Sequence, residues 1–348
     1  MNPAIGYALI SAALFGASTP LAKLLLGSTP PLLLAALLYL GSGLGLAAWI
    51  ALRRVGGGVE RPAPIPRADW PWLAGAILAG GIAAPALLLY GLLLTDAGTA
   101  SLLLNLEGVL TAAIAWLVFR ENVDRRVFLG MAAIIAGGVL LSWDQAPRAG
   151  DGAGPLLIAA ACLAWAIDNN LTRRVSGGDA ATIACLKGVV AGTANLGLAF
   201  AAGASLPGAT AIAAAGVVGA LGYGLSLALF IVALRHLGTA RTGAYFSVAP
   251  FFGAALAVLL LDETTSASFW IAAGLMALGV WLHLTERHTH DHVHEPMEHT
   301  HPHMHDAHHR HTHDVPWDGR EPHTHAHRHG RLVHRHPHYP DLHHRHPH

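Results

Sequence analysis

The chain has 348 residues and a formal net charge of zero; 53% of its residues are hydrophobic and only 12% are charged. Soluble proteins carry about 25% charged residues, so this composition excludes an ordinary soluble globular protein. The balanced charge gives no indication of a nucleic-acid partner, and the sequence contains no nucleotide-binding motif.

Long apolar runs separated by short polar breaks occupy the first 285 residues. A helix rises about 1.5 Å per residue, so about 20 apolar residues cross a hydrocarbon core about 30 Å thick. Because backbone groups must be paired inside lipid, each run is predicted to be a transmembrane helix. The ten predicted spans are 3–25, 31–52, 70–94, 97–119, 126–143, 155–173, 179–201, 209–234, 240–261 and 267–285.

Basic residues are distributed unevenly over the loops between these spans. One set of loops contains Arg53, Arg54, Arg61, Arg67, Arg120, Arg125, Arg126, Arg173, Arg174, Arg235 and Arg241, whereas the other set contains only Lys23 and Arg148. Cytoplasmic loops are enriched in Lys and Arg, so the first set is predicted to be cytoplasmic. With an even number of spans, both termini are then cytoplasmic, in the inner membrane of a bacterium.

Two sequence patterns of the first half recur in the second. The stretch Phe15–Lys23, late in the first span, matches Trp165–Arg173, late in the sixth, residue class by residue class, and Gly98–Ala100 recurs as Gly238–Ala240. The predicted repeat unit is five helices. Because five is odd, the second copy enters the membrane from the opposite face, and inverted repeats of this kind are typical of secondary transporters.

The sequence resembles the EamA family of the drug/metabolite transporter superfamily over residues 3–285. The residues that carry the resemblance are Phe15, Gly16, Pro20 and Lys23, together with the acidic endings Arg120-Glu121 and Asp262-Glu263 of the fourth and ninth spans. The resemblance implies ten helices in two halves and solute transport by alternating access. It leaves the substrate open.

The fourth span departs from the family pattern. Members often carry a proline in the fourth and ninth spans, and the ninth span has it as Pro250, whereas the fourth reads Asn105-Leu106-Glu107-Gly108. An acid near the middle of a span costs about 2.5–3.5 kcal/mol on insertion scales, so it usually faces a cavity or a partner. Glu107 is predicted to bind substrate or couple protons; the alternative is a structural acid neutralised by a neighbour.

Further polar residues fall inside the spans. Lys187 is predicted either to pair with Glu107 or to extend its amine to the cytoplasmic headgroups. Asp168, Asn169 and Asn170 match Ser18, Thr19 and Pro20 in the repeat, and both triplets are predicted to loosen their helices beside a water-filled path or else to hydrogen-bond between packed helices. The candidate cavity residues are Ser18, Thr19, Tyr90, Asn105, Glu107, Asp168, Asn169, Asn170, Lys187 and Tyr223.

Two further interpretations concern pairs of residues that the repeat relates. Tyr90 and Tyr223 are interpreted as repeat mates beside a pocket or as anchors at the membrane interface. Glu121 and Glu263 are each predicted to cap the helix that follows.

Of the 25 histidines, all but His236 and His283 lie between His288 and His348, mostly alternating with another residue. This segment has almost no apolar residues to bury and is predicted to be disordered. Imidazole binds Zn, Ni, Co and Cu, and a flexible chain brings several rings to one ion; the alternative is a solvated tail that binds metal only incidentally. The candidate ligands are His288, His290, His292, His294, His299, His301, His303, His305, His323, His325, His327, His329, His334, His336 and His338.

The residues and the resemblance together predict a secondary-active transporter of a small solute, not an enzyme, that requires no cofactor and has the bilayer, its solute, protons and a second copy of the chain as candidate partners. Two alternatives stay open: an exporter of divalent Ni, Co or Zn that the tail supplies or regulates, and a non-transporting anchor that sequesters or senses metal. The predicted domains are two repeats, 1–145 and 146–286, and the tail, 287–348.

Overall fold

The computed structural model describes residues 3–55, 65–119, 125–149, 153–175, 180–237 and 239–285, together with four short strands nearer the C-terminus. The chain divides into two compact units, residues 1–286 and residues 287–348. The first unit is helical where it is described, and the second contains the strands.

Among the described residues of the first unit, ten helical stretches follow one another, and four of them are subdivided. The uninterrupted helices are α1 (Pro3–Leu26), α2 (Pro31–Val55), α5 (Arg125–Ala149), α6 (Ala153–Val175), α7 (Ala180–Ala201) and α10 (Ala267–Leu284). The subdivided helices are α3 (Arg67–Asp69, Trp70–Ala76, Ile77–Ala83 and Ala84–Leu93), α4 (Ala97–Leu103 and Leu106–Phe119), α8 (Ala209–Val218, Gly219–Leu225 and Ser226–Leu237) and α9 (Thr239–Phe246 and Ala249–Leu260).

Nine helices within the described residues are long and apolar enough to cross a bilayer, and Ala249–Leu260 in α9 is a shorter apolar helix. Large apolar side chains cover the outside of this unit, including Leu52 and Leu259 at 74% exposure and Trp143 at 80%. Such a surface is costly in water and suited to lipid. The predicted integral membrane protein is therefore confirmed.

The interruptions occur at equivalent helices of the two halves. The third helix of each half, α3 and α8, contains a π-helical segment, at Ile77–Ala83 and at Gly219–Leu225. The fourth helix of each half, α4 and α9, is broken by a turn, at Leu104-Asn105 and at Ser247-Val248. Because the same irregularities recur at equivalent helices, the two halves share one architecture. π-Helical turns are rare and are found preferentially at functional sites.

The two halves also pack on each other through equivalent helices. In the α2–α7 pair, Gly43 lies against Gly188, whereas Gly192, further along α7, lies against Leu40 and Ala36, earlier in α2. The α5–α10 pair runs antiparallel in the same way, because Gly130 lies against Gly279 and the later Gly137 against the earlier Met276. Antiparallel packing of equivalent helices is the arrangement that inverted repeats predict.

The second unit contains two antiparallel strand pairs. β1 (His288–His294) pairs with β4 (Leu332–His338), and β2 (Met297–His303) pairs with β3 (His323–His329). The disorder that the sequence predicted for the tail is therefore not confirmed in these segments. The physical reason is the period-two alternation of the histidines, which fits extended backbone, while pairing satisfies the backbone N–H and C=O groups. His305 lies outside the described residues.

Candidate functional site

An ion pair between described residues joins α7 to α6. Lys187 Nζ lies 2.5 Å from Asp168 Oδ1 and donates to Thr172 Oγ1 at 3.1 Å. Thr172 Oγ1 in turn donates to Asp168 Oδ1 at 2.8 Å. The side chains of Lys187 and Asp168 are only 18% and 8% exposed. The predicted pairing of Lys187 with Glu107 is therefore wrong.

Glu107 instead binds a neutral group. It is the second residue of the second segment of α4, and its Oε1 accepts from Asn169 Nδ2 at 2.8 Å. Asn169 Nδ2 also lies 3.4 Å from Thr111 Oγ1. Glu107 is half-buried and Asn169 is exposed, so this acid–amide pair is reachable from outside the helical packing.

Glu107 occupies the position that proline occupies in the other half. Pro250 is the second residue of the helical segment that follows the break in α9, as Glu107 is in α4. The structure thus places the departure from the family pattern directly after a helix break. Asn105 lies in that break, buried, and its Nδ2 donates to the carbonyl of Leu102 at 2.9 Å.

Of the two alternatives for the polar triplets, the structure does not support loosened helices, whereas Asn169 and Asn170 do hydrogen-bond to a neighbouring helix. Both α1 and α6 are unbroken α-helices through Ser18–Pro20 and Asp168–Asn170. Consecutive residues point in different directions on a helix, and the triplet in α6 therefore serves separate neighbours. Asn170 Nδ2 donates to its own helix at Ala166 O, 2.8 Å, and lies 3.3 Å from Thr111 O.

Side chains from three helices bind the π segment of α3. The hydroxyl of Tyr39 and the indole Nε1 of Trp165 both donate to Gly80 O, at 2.7 and 3.0 Å, and Asn195 Nδ2 donates to Gly81 O at 2.8 Å. Trp165 lies one turn before Asn169 on α6, and Asn169 is the residue that binds Glu107. Sequence reasoning missed Tyr39 and Asn195, although the Gly80-Gly81 pair indicated an irregular helix at this point.

Aromatic rings continue from Tyr39 toward the second half. Ring centroids are separated by 6.0 Å between Tyr39 and Tyr223, 5.6 Å between Tyr223 and Phe15, and 5.3 Å between Phe15 and Phe246. Tyr90 does not share the surroundings of Tyr223. It is 44% exposed and lies seven residues beyond the π segment of α3, whereas Tyr223 lies inside that of α8.

Ser18 and Asp168 occupy equivalent places in the two halves. Ser18 lies against Gly222 in the π segment of α8, and Asp168 lies against Gly80 in the π segment of α3. Ser18 Oγ donates to Phe15 O at 2.6 Å, and Thr19 is buried beside it. The equivalent positions therefore carry a neutral hydroxyl in one half and an ion-paired acid in the other.

A second polar cluster joins the halves at one end of the helical unit. Glu263 lies in the α9–α10 connection, and its carboxylate accepts from the backbone N–H groups of Ala97 at 2.7 Å and Gly98 at 2.8 Å, at the start of α4. Lys23 donates to the carbonyls of Leu92 and Thr95, where α3 meets α4.

The prediction that Glu263 caps the next helix is therefore wrong. Ser266 caps α10, accepting from the N–H of Phe269 at 3.2 Å. Glu121 lies outside the described residues.

The side chains that the structure describes contain no group of three or more His, Cys, Asp or Glu able to hold one metal ion. Histidines of the tail are described only through the backbone register of their strands. In that register His288 faces His338, His290 faces His336, His292 faces His334, His299 faces His327, His301 faces His325 and His303 faces His323.

Comparisons with known proteins give a consistent family. The chain is 31% identical over 285 residues to an uncharacterized transporter of Methanothermobacter thermautotrophicus, covering 77% of this chain and 82% of that protein. Over 75 residues it is 43% identical to a probable 4-amino-4-deoxy-L-arabinose-phosphoundecaprenol flippase subunit ArnE of Pseudomonas paraeruginosa, covering 22% of this chain and 63% of that one.

The fold also matches a solved structure. A protein of known crystal structure aligns with a TM-score of 0.59 and 21% identity over 80% of this chain and 95% of that chain. The model of the EamA-like transporter family matches twice, at residues 2–143 and 152–285. The chain therefore belongs to the EamA-like transporter family.

Proposed function

We propose that the protein is a secondary-active transporter that moves a small solute by alternating access of its two halves. The observation that carries this proposal is that α6 contributes to both the Glu107–Asn169 pair and the Asp168–Lys187 pair, with Asp168 against the π segment of α3. Charged residues at membrane depth mark substrate or ion pathways. Their position between helices of a two-repeat family fits a central binding site.

The proposal includes the arrangement in the membrane. Ten helices cross the bilayer, the two segments of α9 together forming one crossing, and the arginine-rich loops lie in the cytoplasm of a bacterium with both termini. The name of the Pseudomonas relative, a flippase subunit for a lipid-linked amino sugar, is compatible with a polar solute for this chain. Gradient-driven transport, not ATP hydrolysis, supplies the energy.

Reconstitution tests this function directly. Purified protein in liposomes is expected to catalyse saturable uptake of at least one solute from a panel of amines, amino acids, sugars and divalent metals, without ATP. An imposed pH gradient is expected to change the rate if Glu107 couples protons, and an ionophore that collapses the gradient is the control. Failure of every panel solute to exceed the flux into protein-free liposomes would contradict the proposal.

Divalent metal export is a second candidate function, favoured by one observation. The strand register places histidine directly opposite histidine at six positions of the two strand pairs. Residues opposite each other on paired strands have Cβ atoms about 4.5–5.5 Å apart, a separation at which two imidazoles reach one ion. The tail is thereby proposed to bind Zn, Ni, Co or Cu.

Removing residues 288–348 is expected to abolish Ni and Zn binding measured by equilibrium dialysis, while solute flux in liposomes is unchanged. A tail variant in which His290 and His292 exchange places with Thr289 and Asp291 keeps the composition but breaks two of the facing pairs. Reduced affinity in this variant supports ordered pairs. Equal affinity indicates that only histidine content matters, and zero metal flux by the full chain excludes the exporter.

A further inference from the structure

Of the two acids in the candidate site, only Asp168 has a cationic partner among the described residues. Within the described part of the helical unit, the amine of Lys187 is neutralised by Asp168 at 2.5 Å. Glu107 has only the neutral amide of Asn169 as its hydrogen-bond partner among described residues. A half-buried carboxylate without a cation is costly in a low-dielectric setting, and a cationic ligand would remove that cost.

Two aromatic side chains of the candidate site are held by hydrogen bonds to the π segment of α3. Tyr39 and Trp165 come from different helices, and both donate to the same carbonyl, Gly80 O, at 2.7 and 3.0 Å. These bonds use the polar atoms of both rings and leave the aromatic faces for other contacts. Tyr39 also interacts with the ring of Tyr223, whose centroid lies 6.0 Å away.

A half-buried acid near aromatic rings that are held in place by hydrogen bonds is the chemistry that recognises an ammonium group. The carboxylate supplies a charge-assisted hydrogen bond, and aromatic faces attract cations through their quadrupole. An anionic solute would meet Glu107 unfavourably, and a neutral solute would leave its charge uncompensated. We propose, on the basis of the transport function above, that the solute is a small organic cation whose amine binds Glu107 beside Tyr39 and Trp165.

The Asp168–Lys187 pair determines which of the two acids a ligand amine would bind. Asp168 already has Lys187 and Thr172 as partners, so a ligand amine would have to displace a bound lysine to reach it. Glu107 would need only to exchange the amide of Asn169. The ligand is therefore assigned to Glu107 and not to Asp168.

The test uses phenethylamine and 2-phenylethanol, which share a ring and a two-carbon chain but differ in charge. Wild-type protein in liposomes is expected to bind and transport the amine, and to bind it about 10- to 150-fold more tightly than the alcohol, the range for a hydrogen bond to a charged group. Glu107→Gln is expected to remove this ratio, whereas Glu107→Asp, which keeps the charge, retains most of it.

Two more variants separate recognition from folding. Tyr39→Leu is expected to weaken amine binding about 3- to 30-fold through loss of the cation–π contact, with alcohol binding reduced less. The matched carboxyl control is Asp262→Asn, because Asp262 is exposed in the α9–α10 connection and its φ of 50° suits asparagine. This variant is expected to keep the wild-type ratio.

An equal affinity for amine and alcohol in the wild type, or an equal loss of both in Glu107→Gln, would overturn the inference. Saturable transport of an anionic or neutral solute with no amine binding would also overturn it, while leaving the transporter assignment intact. Lack of transport of any solute would instead reject the proposed function.

Discussion

Lys187→Met is expected to destabilise the helical unit by about 3–5 kcal/mol, because it leaves the buried Asp168 carboxylate without its cation. Asp168 is 8% exposed and Lys187 18% exposed, so water compensates little for the lost partner. Asp168→Asn is expected to have a similar effect through the uncompensated amine. Loss of folded protein in detergent, followed by thermal melting and by size-exclusion chromatography, measures both changes.

The double variant Asp168→Asn with Lys187→Met separates charge pairing from packing. Replacing both members of a buried ion pair by neutral groups is often close to neutral in stability. The double variant is therefore expected to recover most of the stability that either single variant loses, giving a coupling energy of several kcal/mol in the double-mutant cycle. Additive losses would show that the two side chains do not act as a pair.

Thr172→Val is the control for the loss of a hydrogen bond without a change in charge. Thr172 bridges the pair, donating to Asp168 and accepting from Lys187. Its removal is expected to cost about 1 kcal/mol, clearly less than either charge change. Solute flux is informative at the same time, because the recovered double variant is expected to fold without regaining full transport.

The sequence predicts correctly those features that depend only on the order of residues along the chain. Span positions depend on the length of apolar runs along the chain, and nine described helices match spans that were predicted from it. The repeat was visible because equivalent helices keep similar residues, such as Phe15 and Trp165. Glu107 was recognisable as unusual because an acid interrupts an apolar run.

Which residues pair with each other depends on how each helix is rotated about its own axis. Neither the length of an apolar run nor the depth of a residue in the membrane gives this rotation. Glu107 and Lys187 were paired because their depths in the membrane are similar, but α6 presents Asp168 to Lys187 and Asn169 to Glu107 on different faces of one helix. Tyr39 was missed for the same reason. The acceptor of its hydroxyl is a carbonyl in the π segment of α3. The only sign of that backbone irregularity in the sequence is the Gly80-Gly81 pair.

The capping role of Glu263 was assigned to the wrong helix for a related reason. Sequence proximity favoured α10, whereas the carboxylate binds the N–H groups of Ala97 and Gly98 in the other half. A contact between residues so far apart in sequence follows from the packing of the two halves. This contact joins the two halves at the end of the helical unit that contains the α3–α4 and α9–α10 connections.

Glu263→Gln is expected to shift the conformational equilibrium about 10- to 100-fold toward a state that is open at this end. The carboxylate accepts two backbone hydrogen bonds at the start of a helix, where negative charge is stabilised by the helix dipole. Glutamine keeps one acceptor oxygen and loses the charge, and a hydrogen bond to a charged group contributes about 1.5–3 kcal/mol. The proposed alternating access would require the halves to separate here once per cycle, so weakening the contact is expected to favour the open state.

Labelling of a cysteine placed at position 101 measures this shift. Ser101 is buried on α4 against Gly253 of α9, so it becomes accessible only when these helices separate. In a background where Cys162 and Cys185 are replaced, a water-soluble maleimide is expected to label Ser101→Cys about 10-fold or more faster when Glu263→Gln is also present. Asp262→Asn, next to Glu263 but exposed, is the matched control and is expected to leave the rate unchanged.

Solute flux distinguishes two roles for Glu263: holding the two halves in the closed state, or only stabilising the start of α4. If Glu263 holds the closed state, Glu263→Gln is expected to lower the maximal rate of coupled transport while the protein melts at nearly the wild-type temperature, because the cycle is delayed in the open state. A lower melting temperature with an unchanged labelling rate would instead mean that Glu263 only stabilises the start of α4. Unchanged labelling, flux and melting would remove Glu263 from the mechanism altogether.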